Sequence, residues 1–155
     1  MIEGEQRAEL VYDAEKLSGV YALNPLGHPA EAQTLASWIV RQPWWTKEVS
    51  GVNKVEVAYI PVWDRTSCMH DRITRARMEI TIPGLSQGLV YHEMGHCARG
   101  DVDNSHDRPF LKAHFAILRH MDWGVLLPRY ARALLDRDLV TGREKWIQPY
   151  LLARK

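Results

Sequence analysis

Apolar residues along this chain recur at two spacings, one helical and one alternating, and proline and glycine mark the changes between them. From about Glu5 to Leu17, the residues Ala8, Val11, Tyr12 and Glu15 follow helical spacing, with a thin apolar stripe. Asn24-Pro25, Gly27 and Pro29 then make a loop. A second helix is predicted from about Ala30 to Arg41, where Leu35, Trp38 and Ile39 recur at three and four residues, and Pro43 ends it. Val55 to Ile60 is rich in strand formers and stops at Pro61. Arg77 to Ile82 alternates, with Met78, Ile80 and Ile82 on one face, before Pro83-Gly84 turns the chain. The stretch between these strands holds Asp64, His70 and Asp71 and has no clear period, so it reads as a loop or one further short strand.

The second half is helical. Ser86 suits a helix N-cap and Gly100 a stop. After the polar loop Asp101 to Ser105, a helix opens near Asp107 with Pro109 in its first turn, where proline is tolerated. It continues through Phe110, Leu111, His114, Phe115, Ile117, Leu118 and Met121. A last helix is predicted over Pro128 to Leu139, and the apolar residues of the tail from Thr141 to Lys155 are expected to dock on the body. Strands and helices come in runs rather than in alternation, which predicts an α+β fold. The 155 residues suit one core, so residues 1–155 are expected to form a single domain.

Composition narrows the function classes. Apolar residues at 46% and charged residues at 25% are an ordinary balance for a water-soluble domain. The net charge of +1 gives no footprint for nucleic acid or an anionic membrane, so strong nucleic-acid binding is not expected. No apolar run approaches the roughly 20 residues that span a bilayer, and the charged start, Met1 to Glu5, lacks the apolar core of a secretory leader. No membrane partner and a cytoplasmic location are the expectations. Cys68 and Cys97 form no C-x-x-C pair and are expected as reduced thiols.

The chemistry concentrates in His92-Glu93-Met94-Gly95-His96, an H-E-x-x-H sequence. Residues four apart on a helix share a face, so two imidazoles can converge on one metal ion. Glu93 lies on the adjoining flank, where it reaches a water acidified by zinc without being a ligand. A chance match on an amphipathic helix with two surface histidines is the competing reading. Catalytic zinc usually has three protein ligands. His106, ten residues past His96, is the candidate third, with Asp101, Asp103 and Asp107 as rivals. His114 reads as a core residue or a neighbour of the ligands, and His28 and His70 as loop residues. Trp44-Trp45 reads as packing.

These residues carry a resemblance. His92 to His96 followed by His106-Asp107-Arg108-Pro109-Phe110 resembles the SprT-like zincin group and the related YgjP-type and WLM-type peptidases. The whole chain is also similar to a small family of metallohydrolases from actinobacteria and their phages, in which the Arg7 to Glu15 stretch is a further point of likeness. The resemblance implies a minimal zincin fold, a small sheet packed on the H-E-x-x-H helix. It implies His92, His96 and His106 as zinc ligands and Glu93 as general base, acting on a peptide or protein substrate. The loop before His106 is shorter than in typical SprT-like domains, and no paired cysteines follow to form a zinc ribbon. Arg99 and Val102 stand where metzincins have glycine and histidine. A zinc-dependent peptidase is the expected function. The alternatives are a nucleic-acid-associated SprT-like protease or adaptor and a non-catalytic metal-binding protein. The strand over Met78 to Ile82 is expected to pair with extended substrate beside the cleft.

Overall fold

Three helices begin where a side chain accepts a hydrogen bond from an otherwise unsatisfied amide of the first turn. In the computed structural model, which describes residues 4–21, 23–60, 67–72, 74–81, 85–98 and 106–152, these caps are His28, Ser86 and Asp107. His28 Nδ1 accepts from the Ala30 amide at 3.0 Å, ahead of α2 (Pro29–Val40). Ser86 Oγ accepts from Leu89 at 3.0 Å, ahead of α3 (Gln87–Cys97). Asp107 Oδ1 accepts from Phe110 at 3.3 Å, ahead of α4 (Arg108–His120). The first helix, α1 (Gly4–Ser18), is stopped by Gly19, whose φ of 87° few other residues adopt cheaply. The expected stop at Gly100, the Pro83-Gly84 turn and Ile82 lie outside the described residues.

The described chain is mixed α+β and divides into two compact units. The helical unit contains α1, α4, α5 (Leu127–Asp136) and the short α6 (Gln148–Leu152). α1, α4 and α6 all pack against α5. Phe115 stacks on Tyr130 with centroids 4.8 Å apart and meets the edge of Trp146 at 5.1 Å. Ile147 is fully buried, so the apolar tail docks on this unit as its composition predicts.

The mixed unit holds α2, α3 and a three-stranded sheet of β1 (Lys54–Ile60), β2 (Ser67–Arg72) and β3 (Arg75–Thr81). The strand order is β1-β3-β2, with β1 parallel and β2 antiparallel to β3. Val55 pairs with Ala76 and Val57 with Met78, and these side chains face the core. Between them Glu56 pairs with Arg77 on the outer face, where their charges meet at 3.7 Å. The period-2 pattern thus sorts apolar from charged residues across the sheet. α3 packs on β2 and β3, and α2 packs on β1.

Gln33 of α2 treats β1 as another strand would. Its side-chain amide donates to the Val55 carbonyl at 2.9 Å, and its carbonyl accepts from the Val57 amide at 2.8 Å. That edge of the sheet is therefore capped. Trp45, which opens a single π turn (Trp45–Val49), is fully buried and donates its indole N–H to the Val52 carbonyl at 2.6 Å. Trp45 is packing, as expected.

Two expectations are corrected here. The strand over residues 75–81 exists, but β3 is central: β1 pairs with all of it and β2 with residues 75–79, so over that shared stretch its backbone has no edge to offer a substrate. Periodicity identifies a strand and says nothing of its neighbours. Cys97, expected as a reduced thiol, is disulfide-bonded, and the chain's other cysteine is Cys68. Sequence distance hides spatial proximity: the strand bearing Cys68 packs against the helix that ends at Cys97.

Candidate metal centre

α3 is buried on nearly every side. Gly88 and every residue from Val90 to Cys97 are buried, and the side chains include three ionisable groups within five positions. His92 is 3% exposed, Glu93 1% and His96 2%. This disagrees with a chance motif on an amphipathic surface helix, whose histidines would face water. Burying charged or strongly polar groups is costly unless partners or a metal compensate. The helix therefore carries polar chemistry at a depth usually kept for apolar packing.

The geometry of the pair suits a metal. The His92 and His96 rings have centroids 5.1 Å apart and planes 67° from parallel, and each offers a nitrogen within 4.8 Å of the other's. A zinc–nitrogen bond of about 2.0–2.1 Å puts an imidazole centre about 3.2 Å from the ion, so two rings at a tetrahedral angle stand about 5.2 Å apart. The observed separation matches. Glu93, one residue on from His92, is rotated about 100° around the helix, beside the pair rather than in line with it.

His106 lies in the helical unit, immediately before the Asp107 cap of α4. It is 8% exposed. Its ring stands edge-on to Phe110 at 5.0 Å and to Tyr12 at 5.3 Å. Arg7 of α1 donates from Nε to the His106 carbonyl at 2.6 Å. Asp107 is engaged as the helix cap, which explains its presence without a metal. Asp101 and Asp103 lie outside the described residues, as does the side chain of His70. His28 is exposed and caps α2, a role its position before Pro29 could have suggested.

A second buried polar group occupies the helical unit. Glu15 of α1 and His114 of α4 are each 1% exposed, with Oε1 and Nε2 3.8 Å apart. His114 Nδ1 lies 3.0 Å from the Tyr130 hydroxyl of α5. Burial, reinforced by the charge of Glu15, pushes the Tyr130 hydroxyl well above its ordinary pKa, so it remains protonated and can donate to His114. Tyr91 of α3 is pushed up to about 12 by burial and also keeps its proton. Glu15 on the thin stripe of the first helix was legible as a position, but nothing local marked it as a buried partner for a residue 99 positions away.

Buried His and Glu side chains able to hold a metal ion are thus present among the described residues. No described helix is long and apolar enough to cross a membrane. No protein-family model, curated protein or solved structure matches the chain.

Proposed function

We propose that the protein is a zinc-dependent hydrolase of peptide bonds, with His92, His96 and His106 as ligands and Glu93 as general base. The observation that carries this reading is the burial of His92, Glu93 and His96 on one helix, with the two rings at the separation a shared tetrahedral ion requires. His106 is included because zinc takes three protein ligands in most hydrolytic sites, and because His106-Asp107-Arg108-Pro109-Phe110 resembles the segment that follows H-E-x-x-H in the SprT-like zincins. When bound, zinc acts as a Lewis acid that brings the pKa of water to about 7.

The residues of the chain divide the remaining work. His92 and His96 orient the centre from a rigid helix whose N-terminus is capped and whose last residue, Cys97, is disulfide-bonded. Glu93 accepts a proton from the attacking water and returns it to the nitrogen of the departing amine. Substrate would lie along a strand edge. β1 is capped by Gln33, whereas β2 pairs on one side only among the described strands and packs on α3, so β2 is the edge suited to an extended peptide.

Glu93→Gln tests the reading. The amide keeps the size of the side chain and cannot accept the proton. The variant is expected to hold zinc like the wild type and to lose about 100- to 10,000-fold in turnover of an unstructured protein substrate. Undiminished turnover would remove Glu93 from the mechanism.

A further inference from the structure

The backbone before α4 is tied down by charged side chains from distant parts of the chain. Arg7 is half-buried on α1. Its Nε donates to the His106 carbonyl at 2.6 Å, and its Nη2 donates to the Leu139 carbonyl, just past α5, at 3.3 Å. One guanidinium thus joins three separate segments through two backbone carbonyls. On the next turn of the same region, Arg108 reaches Glu144 at 2.7 Å. Glu144 in turn accepts from the Thr141 amide at 2.7 Å. His106 and Arg108 flank the Asp107 cap, so the first turn of α4 is fixed on both sides of its cap.

The ring of His106 is held as well as its backbone. Tyr12 and Phe110 meet it edge-on at 5.3 and 5.0 Å. Tyr12 lies five residues after Arg7, on the same helix. α1 therefore supplies both a bond to the histidine carbonyl and a wall for its ring.

We propose that Arg7 is a positioning residue for a metal-binding His106, setting the backbone from which the imidazole is presented, with Tyr12 limiting the ring's rotation. This rests on the reading of His106 as a ligand. A ligand just outside a helix loses conformational freedom when the ion binds. Arg7 reduces that loss by holding the backbone in place before binding, as outer partners of metal ligands generally do. Guanidinium suits the task because its fork of donors can address two carbonyls at once, whereas lysine presents a single ammonium on a flexible stem.

The experiment compares zinc affinity, measured by competition with a chromophoric chelator, in Arg7→Met, Arg7→Lys, His106→Ala and Arg137→Ala proteins. Arg137 also donates to a backbone carbonyl, that of Ala133, but within its own helix end, so it controls for loss of such a bond. Arg7→Met is expected to weaken zinc binding about 10- to 100-fold, with Arg7→Lys in between and Arg137→Ala unchanged. The visible spectrum of the cobalt-loaded Arg7→Met protein should also change, which a purely structural role would not produce. Wild-type zinc affinity and cobalt spectrum in Arg7→Met, alongside lost affinity in His106→Ala, would overturn the positioning role and leave the ligand reading intact. Wild-type affinity in His106→Ala would overturn the ligand reading and this inference with it. If Arg7→Met unfolds, Tyr12→Leu carries the same expectation of weaker zinc binding in a folded chain, and wild-type affinity there contradicts the proposal.

Discussion

Glu144 shows how one side chain makes stability depend on pH. Burial alone would raise its pKa, but the Thr141 amide, the Trp146 indole and the Arg108 guanidinium together hold it below its ordinary value of 4.5. A carboxyl depressed in this way contributes stability that is complete above the unfolded value and is lost as pH falls through the folded one. Glu144→Gln is therefore expected to cost about 1–2 kcal/mol at neutral pH and close to nothing at about pH 2, read from urea midpoints at each pH. An equal cost at both would contradict the assignment. In the helical core, Tyr130→Phe removes the hydroxyl that lies 3.0 Å from His114 Nδ1 and should cost about 1–3 kcal/mol. At this scale the sequence was legible where the chemistry is local: H-E-x-x-H declares its own spacing, and Ser86 and Asp107 precede the turns they cap. Arg7 was not legible as a partner of His106, because that bond spans 99 positions and no periodicity encodes it.

The elements follow their local signals closely. Helices over residues 4–18, 29–40, 87–97, 108–120 and 127–136 stand where caps, prolines and apolar spacing place them, and β1 and β3 stand where β-branched and alternating residues do. β2 has no such signal, since Ser67-Cys68-Met69-His70-Asp71-Arg72 has no clean alternation and its strand depends on pairing with β3. The order β1-β3-β2 was likewise illegible. It is a tertiary outcome, and it puts β2 rather than β3 on the outside of the described sheet. Ser86→Ala should cost about 1 kcal/mol through the lost cap of α3, measured by chemical denaturation. Gln33→Leu should do more than destabilise: by uncovering the β1 edge at Val55 and Val57 it should promote self-association, seen by light scattering at high concentration. A monomeric Gln33→Leu protein at all concentrations would show that the cap is dispensable.

For the molecule as a whole, the disulfide at Cys97 has a direct consequence. The native protein should give no reaction with a thiol reagent, and the unfolded, reduced chain should give two thiols. Reduction should lower stability by about 2–4 kcal/mol. The net charge of +1 predicts weak binding to duplex DNA at physiological salt. Sub-micromolar affinity with a steep salt dependence would favour a nucleic-acid-associated role instead. Both tests bear on the setting of the protein rather than on its chemistry. The chemistry depends on one claim, that a buried helix carries His92 and His96 in order to hold zinc. Metal analysis of the freshly purified, folded protein tests it most directly. About one tightly held zinc per chain is predicted, falling away in His92→Ala and His96→Ala proteins that remain folded. A folded wild-type protein that contains no zinc and takes none up when titrated would contradict it.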